Sequence, residues 1–298
     1  MMNKFFNNLK KNKICYLYLF PFFSLFTLFV VLPVLIAIFL SFTDYNLLQP
    51  PQFVGFQNYS DFFFNDEIFM KAVVNTLTMA LVVGPFSYIG ALMLAWVLNE
   101  MGRGIRTVLV FLIYAPSISG NAFMIWQLLF SGDQLGYINA FLINLGIINS
   151  PIQFLTDTEY MMIAVLIVTM WTSMGTQFLS FVAGLQGIDH SLYEAGAIDG
   201  VRNRWQELWY ITIPQMKPQL LFGAVMSITS AFTVGGVGAL LCGNPSTDYA
   251  VHTLVNHMTD FSDVKFEFGD ACAIATILFA VMIICNQMIK KLLKNVGT

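Results

Sequence analysis

Six long apolar segments constrain this chain more than any other feature of its sequence. Each is longer than the roughly 18 residues that an α-helix needs to cross a bilayer, and none contains a formally charged residue. The whole chain is 57% hydrophobic and only 10% charged. We therefore expect an all-α integral membrane protein with one transmembrane domain over residues 1–298. The six predicted transmembrane helices span about 14–42, 72–98, 107–130, 160–188, 219–242 and 271–289.

Four prolines, Pro21, Pro33, Pro85 and Pro116, fall inside these apolar segments. In a membrane, neighbouring helices and Ser or Thr side chains satisfy the carbonyl groups that a proline leaves free. We therefore expect these prolines to bend the helices and not to end them.

The basic residues lie almost entirely on one side of the predicted membrane. The two termini, the second connection and the fourth connection together hold 12 of the 14 Lys and Arg residues. The other connections hold 12 of the 17 acidic residues and only two basic ones, Lys71 and Lys265. Because cytoplasmic connections are enriched in basic residues, we expect both termini to be cytoplasmic. No basic patch with interleaved aromatic residues indicates a nucleic-acid partner.

The sequence lacks the groups that ion-driven carriers and most membrane enzymes need. The apolar segments contain no Asp, Glu or His for a proton relay, and no phosphate-binding loop of the G-x-x-x-x-G-K-[ST] type is present. The three histidines and four cysteines show no metal-ligand spacing, so we predict no catalytic residue, no metal and no cofactor. Cys242 and Cys272 both lie near the outer helix ends, so the sequence allows a disulfide between them, although free thiols are the commoner case.

The predicted cytoplasmic connection 189–217 carries helix signals of its own. Ser191 and Glu194 have the spacing of a capping box, which predicts that a helix begins at Ser191. Residues 195–197 are all small, so another surface can approach this helix closely. Gly200 is suited to the left-handed turn that ends a helix.

A second helix is expected after this turn. Trp205, Leu208 and Trp209 have helical spacing and form an apolar stripe that suits the membrane face of the bundle. Pro214 is expected to break this helix, and Pro218 to open the fifth span, where its missing N–H costs little. On spacing alone, the connection is equally consistent with an interfacial hairpin and with a docking element.

The stretch EAGAIDG at 194–200, followed by ITIP at 211–214, resembles the EAA loop of permease subunits in binding-protein-dependent ABC importers. In that family the loop forms a coupling helix that sits in a cleft of the cytoplasmic ATPase subunit. The resemblance therefore implies a coupling role for five residues. They are Glu194, Ala195, Gly196, Asp199 and Gly200.

The resemblance extends over nearly the whole chain, although Gly196, Val201 and Ile213 differ from the usual residues of the loop. Phe-Pro and Leu-Pro in the first span, SFTDYN at 41–46 and FVGFQNYSDFF at 53–63 resemble the carbohydrate branch of these permeases, the maltose, lactose and glycerol-phosphate type. The expected fold is thus the six-helix bundle of a type I ABC importer permease.

The family also implies partners and a mechanism. In it, two permease subunits, often different chains, line the pathway in the bacterial plasma membrane. An ATPase dimer binds below them, and a solute-binding protein delivers sugar from outside. Closure of the ATPases moves the coupling helices and drives alternating access. We expect this chain to be such a sugar permease, with an oligosaccharide favoured.

Polar side chains in the fourth and fifth spans are candidates for contact with sugar, because carbohydrates bind hydroxyl, amide and aromatic groups. The favoured candidates are Trp171, Thr176, Gln177, Thr229, Ser230 and Thr233. Further polar candidates in the third, fourth and fifth spans are Ser117, Ser119, Asn121, Thr172, Ser173 and Ser227. The alternative is that these side chains only hold neighbouring helices together.

Other functions stay open as alternatives. An anionic solute such as glycerol phosphate calls for Arg or Lys in the pathway, and the apolar segments contain neither. A non-ABC carrier with six helices, or a membrane protein without transport function, would need no coupling loop. The apolar stretch 137–148, in the third connection, is expected either to receive the binding protein or to cover the outer mouth of the bundle.

Overall fold

A computed structural model describes residues 13–118 and 122–293. Helices dominate it, together with one antiparallel pair of two-residue strands, β1 (Thr43–Asp44) and β2 (Gln52–Phe53). The α-helices are α1 (Lys13–Phe26), α2 (Leu32–Leu40), α3 (Gln57–Phe64), α4 (Glu67–Asn99), α5 (Arg103–Ile118), α6 (Ala122–Leu129), α7 (Tyr137–Asn144), α8 (Thr158–Ser173), α9 (Gly175–Gln186), α10 (His190–Ile198), α11 (Arg204–Glu207), α12 (Ile213–Gln215), α13 (Lys217–Phe232), α14 (Gly236–Cys242), α15 (Leu254–Thr259) and α16 (Phe268–Leu293). Three π-helical turns, Thr27–Val31, Leu208–Thr212 and Asp260–Val264, and one 3-10 turn, Thr247–Tyr249, interrupt or join these helices.

The predicted spans correspond to helices, but not all six to unbroken ones. Three helical stretches, Tyr16–Leu40, Glu67–Asn99 and Phe268–Lys291, are long and apolar enough to cross a membrane. Two bent pairs, α8 with α9 and α13 with α14, raise this number to five if each pair is one span. The predicted span 107–130 corresponds to α5 and α6, between which residues 119–121 lie outside the described part. The count of six spans therefore stays a prediction.

The two sharp bends do not lie at the prolines. The α8–α9 pair bends by 41° and the α13–α14 pair by 44°, whereas Pro21 and Pro85 lie inside continuous helices. At the first bend, the Ser117 hydroxyl donates to the Thr172 carbonyl over 3.1 Å, and a side chain that enters the helical hydrogen-bond ladder in this way bends a helix. Gly175 leaves the space for that side chain, because a Cβ there would collide with Ser117.

The chain forms two compact units, one of described residues within 1–61 and 258–277, the other within 62–257 and 278–298. In the first unit, the Asn58 amide donates to the carbonyls of Ser41 and Thr43 over 3.1 and 3.0 Å. The Phe268 amide donates to the Tyr45 carbonyl over 2.8 Å. These bonds fix the chain that leaves α2 to the start of α16.

The second unit is a helical bundle in which α4 packs against α9 and α13. The Ser227 hydroxyl of α13 donates to the Gly84 carbonyl of α4 over 2.6 Å, deep in the bundle. A fully buried aromatic ring, Phe181, packs directly on Gly223, where a Cβ would collide with the ring. The bundle core also includes Leu208 of the 189–217 connection. The single transmembrane domain expected from the sequence stays a prediction.

Candidate functional site

The cap of helix α10 lies two residues earlier than the capping-box pattern predicts. The Asp189 carboxylate, not the Ser191 hydroxyl, caps it by accepting a bond of 3.0 Å from the Ser191 amide. The prediction of a Ser191–Glu194 capping box is therefore wrong. A carboxylate is favoured over a hydroxyl here because it also interacts with the positive end of the helix dipole. The hydrogen bonds from Ser191 hold the pKa of Asp189 below its ordinary value.

The C-terminal end of α10 agrees with the predicted turn. The helix ends at Ile198, and Gly200 has a φ of +97° in the left-handed region. The Val201 amide donates to the Gly196 carbonyl over 2.9 Å and the Gly200 amide to the Ala197 carbonyl over 3.4 Å. This is the Schellman arrangement, which satisfies carbonyl groups that a helix end otherwise exposes.

Pro214 does not break the second helix as predicted. Asn203 caps α11, and the chain stays helical through the π-turn Leu208–Thr212 to Gln215. The π-turn places the Ile213 amide on the Leu208 carbonyl, so the wider turn accommodates a proline that would otherwise clash with the carbonyl four residues earlier. Pro218 lies in the first turn of α13, as predicted.

The second helix of the connection supports the first. A Cβ at Gly196 would lie 2.5 Å from Ile211 Cδ1, so glycine lets the two helices approach here without a shift of the Ile211 side chain. The Tyr193 and Thr212 hydroxyls lie 3.0 Å apart and form a hydrogen bond. Of the predicted apolar stripe, Leu208 is 1% exposed and packs in the bundle core, whereas Trp205 and Trp209 are more than half exposed.

These contacts leave one surface of α10 uncovered. We call the exposed residues Glu194, Ala195, Ile198 and Asp199 the outer face of α10. Ile198 is 86% exposed, which is unusual for a large aliphatic residue in an ordered helix. Gly196 is half-buried against Ile211, and exposed Gly200 forms the turn. All five residues with a predicted coupling role thus lie in one compact helix-and-turn segment.

A second candidate region is a cavity of about 300 Å³ at the two helix bends. It is lined by Thr172 and Ser173 at the end of α8, and by Ser230, Thr233 and Gly236 around the break between α13 and α14. Thr169 also lines it; this residue is 1% exposed, and its hydroxyl has no partner among the described residues. The cavity therefore presents hydroxyl groups beside a buried polar atom that is free to bind a ligand or water.

The structure brings together only some of the predicted sugar-contacting residues. Ser230 and Thr233 line the cavity, and each also donates to a carbonyl of its own helix. Thr229, Thr176 and Gln177 do not line it; Gln177 is buried, with both amide atoms unpartnered among the described residues. Trp171 packs its ring against Trp126.

Several further sequence expectations have a structural outcome. Ser227 holds α13 to α4, which agrees with the helix-packing alternative, and Ser119 and Asn121 lie outside the described residues. Cys242 and Cys272 are both free thiols. Sequence reasoning missed Thr169, although its position one helical turn before Thr172 and Ser173 was the signal that could have found it.

Comparison with known proteins identifies the family. Residues 87–294 match the model of the family described as binding-protein-dependent transport system inner membrane component. The chain belongs to this family, and it is accordingly a membrane protein.

Named relatives agree with this assignment. The probable ABC transporter permease protein YesP of Bacillus subtilis (strain 168) is 30% identical over 92% of this chain and 88% of its own length. The lactose transport system permease protein LacF of Rhizobium radiobacter is 32% identical over 71% of this chain and 70% of its own. The sn-glycerol-3-phosphate transport system permease protein UgpA of Agrobacterium fabrum is 30% identical over 78% and 77%.

Solved structures show the same fold. A chain of a bacterial ABC transporter involved in the import of the acidic polysaccharide alginate superimposes with a TM-score of 0.79 at 22% identity, over 99% of this chain and 100% of that chain. A chain of the bacterial alginate ABC transporter in complex with alginate pentasaccharide-bound periplasmic protein gives a TM-score of 0.78 at 22% identity, over 98% of each chain. The fold of this protein is therefore that of an ABC importer permease.

Proposed function

We propose that this chain is the permease subunit of an ATP-driven importer for a sugar, with an oligosaccharide favoured. It spans the plasma membrane six times with both termini in the cytoplasm, and it carries out no chemistry of its own. A second permease subunit of different sequence, a cytoplasmic ATPase dimer and an extracytoplasmic solute-binding protein complete the importer. Family membership and the sugar-transport names of several relatives support this role.

The observation that carries the proposal is the construction of α10. Its two ends are capped from within the connection, by Asp189 and by the Gly200 turn. Its inner side rests on Ile211 and Thr212. A helix of nine residues is too short to be stable alone in water, so these contacts hold it in shape while its outer face stays free for a cleft on the ATPase.

The same contacts provide a route for mechanical coupling. Motion of α10 is transmitted through Tyr193 and Thr212 to the π-turn Leu208–Thr212. Leu208 in that turn is buried in the bundle core with Leu92 and Met216. Closure of the ATPases would therefore move α4 and the region that precedes α13 along with α10, as alternating access requires.

We assign the sugar pathway to the cavity at the helix bends. Discontinuous helices near the membrane midplane commonly form substrate sites in transporters. Thr169, Thr172, Ser230 and Thr233 supply hydroxyl groups there, and Trp126 and Trp171 lie on the adjacent part of α6 and α8.

Transport of an anionic solute is the weaker alternative. UgpA is a relative whose name includes sn-glycerol-3-phosphate, but the residues that line the cavity in the described part of the chain carry no charge. Two guanidinium or ammonium groups would be expected around a phosphate in a site of this kind. A neutral sugar therefore fits this cavity better.

Cysteine crosslinking tests the coupling role. Ala195→Cys in a cysteine-free background is combined with single cysteines placed along the cleft of the co-expressed ATPase. We expect a disulfide-linked product whose yield changes when ATP is added. Thr247→Cys, exposed in the last outer connection, is the matched control and should give no product. An intact, membrane-inserted Ala195→Cys protein that links to no ATPase position would return the connection to a plain interfacial hairpin.

A further inference from the structure

A cavity of about 590 Å³ opens beside the start of α10. It lies where α4 and α9 end and where α5 and α10 begin, all within the second unit. Its polar side includes Arg103, Arg106 and His190, and its apolar side includes Val110, Val182 and Leu185. None of its lining residues is acidic. The cavity is thus positive on one wall and aliphatic on the other.

The positive charge in this cavity is not neutralised within the described part of the chain. Arg106 is half-buried, and its partner is the neutral side-chain oxygen of Asn99, 3.3 Å away. Neither Arg106 nor Arg103 forms an ion pair with a described carboxylate. A partly buried guanidinium without a counter-charge is costly, so a ligand that brings negative charge is favoured here.

The nearby acidic residues are already engaged elsewhere. Glu100, which directly follows α4, forms an ion pair of 2.7 Å with Arg204. Glu207 also binds Arg204, at 2.8 Å. Asp189 accepts the Ser191 amide at the start of α10. These contacts direct the local acids away from Arg103 and Arg106, so no carboxylate in residues 13–118 or 122–293 supplies the counter-charge.

The two walls together indicate the chemical class of the ligand. Guanidinium groups bind phosphate oxygens with paired hydrogen bonds. A soluble phosphate has no apolar group that could contact the aliphatic wall. A phospholipid has both a phosphodiester and acyl chains, so it could contact both walls. Basic cavities at the cytoplasmic ends of membrane helices are a recurrent site for anionic lipid headgroups.

We propose that this cavity binds the headgroup of an anionic phospholipid. Arg103 and Arg106 hold the phosphate, and Val110, Val182 and Leu185 contact the first part of an acyl chain. His190 and Tyr193 line the same cavity and belong to α10. Bound lipid therefore contacts the coupling helix itself; this contact and the cytoplasmic placement of the cavity rest on the proposed function.

Native mass spectrometry of the full-length chain, released from nanodiscs that contain equal amounts of phosphatidylglycerol and phosphatidylcholine, tests the proposal. We expect selective retention of phosphatidylglycerol. Arg103→Gln and Arg106→Gln should each weaken this selectivity about fivefold, since one basic residue near an anionic lipid contributes on the order of 1 kcal/mol. Arg202→Gln removes the same charge at an exposed position that does not line the cavity and should have no effect.

Two further measurements separate the possible sources of phosphate and guard against misfolding. Inorganic phosphate at millimolar concentration should not displace the retained lipid; displacement with the same Arg dependence would identify a soluble phosphate as the ligand and overturn the proposal. Val110→Trp keeps both arginines and fills the aliphatic wall, so it should also reduce retention, even if an arginine variant fails to fold.

Equal retention of the two lipids would show that the chain has no preference for an anionic headgroup and would refute the site. Equal losses in Arg202→Gln and the cavity variants would show nonspecific charge attraction and would also refute it. The measurement needs no ATPase. A negative crosslink at Ala195 and a negative lipid result are therefore independent, and each points to the failure of one proposal only.

Discussion

Two connections of the second unit are stabilised in opposite ways. The 246–257 segment is tied to the bundle: the Asn75 amide of α4 donates to the carbonyls of Tyr249 and His252 over 3.0 and 2.9 Å. The Leu254 amide donates to the Thr76 hydroxyl over 2.9 Å. By contrast, no residue of α10 (His190–Ile198) is buried.

The 246–257 segment also contributes to a buried side-chain network. His257 lies between Asp66 at 3.0 Å and His252 at 3.3 Å, and both histidines are at most 4% exposed. Asp66 in turn caps α4 by accepting the Phe69 amide. The 246–257 segment thus binds its own bundle through its polar groups, whereas α10 forms its hydrogen bonds within the 189–217 connection and keeps an exposed outer face.

Ala195→Glu should give the largest effect, on transport and not on stability. If the outer face of α10 docks in an ATPase cleft as proposed, a new charge there is uncompensated, and we expect sugar uptake to fall by at least about tenfold. Because the residue is exposed, the free energy of unfolding should change by less than about 0.5 kcal/mol. Gln215→Glu adds the same charge at another exposed position of the connection and serves as the control. Normal sugar uptake by Ala195→Glu would show that the outer face of α10 does not dock on the ATPase.

His257→Leu should give the largest loss of stability. It puts an apolar side chain of similar size in place of the imidazole and removes the hydrogen bonds that His257 forms with Asp66 and His252. Losing a hydrogen bond to a buried or charged polar group costs about 1–3 kcal/mol. The unfolding midpoint in detergent should fall accordingly, while His190→Leu, at an exposed histidine, should leave it nearly unchanged. Equal midpoints for the two variants would contradict a stabilising role for the network.

Asn75→Ala should have a smaller effect of the same kind. It removes two hydrogen bonds to backbone carbonyls of the 246–257 segment. Each such bond contributes about 1 kcal/mol to the free energy of unfolding. Thr78→Ala on the same helix is the control, because the half-buried Thr78 hydroxyl bonds only to the Val74 carbonyl of its own helix. Hydrogen exchange should be faster in the 246–257 segment of Asn75→Ala; faster exchange spread evenly over α4 would indicate a general loss of packing instead.

Gly200→Ala should act only on the turn after α10. A Cβ at Gly200 meets no atom within 4 Å, so the cost comes from its φ of +97° alone. We expect a local loss of about 1 kcal/mol, with partial recovery in Gly200→Asn. Gly102→Ala, also open but without a positive φ, is the control. If hydrogen exchange in α10 were equal in all three variants, the Schellman turn would not be what holds the helix end.

The sequence predicted the membrane class, a short helix within 189–217 and the turn at Gly200, because apolar length and left-handed glycine are local signals. The coupling role of this helix stays a prediction. It did not predict the bends at Gly175 and between α13 and α14, since those depend on side chains from distant parts of the chain: Ser117 inserts at the first, and Val255 packs on Gly235 at the second. Thr169 was missed although it lies one helical turn before Thr172 and Ser173, because the cavity that these residues line forms only when α8 packs beside the break between α13 and α14. The start of α10 was placed wrongly because two capping residues, Asp189 and Ser191, compete within three positions.

The smallest expected effect concerns the Asp189 cap, whose contribution to the stability of α10 depends on pH. Hydrogen bonds from Ser191 hold the pKa of Asp189 below its ordinary value in the folded chain, so the carboxylate binds protons less readily folded than unfolded. Its contribution to the stability of α10 is therefore fully present above the ordinary pKa of an aspartate and is lost as the pH falls through the lowered folded value.

Hydrogen exchange in α10, corrected for its intrinsic pH dependence, should show this loss in the wild-type chain. Asp189→Asn keeps a capping oxygen that does not titrate and should abolish it. If Ser191→Ala, and not Asp189→Ala, loosened the first turn, the capping box expected from the sequence would be the true cap.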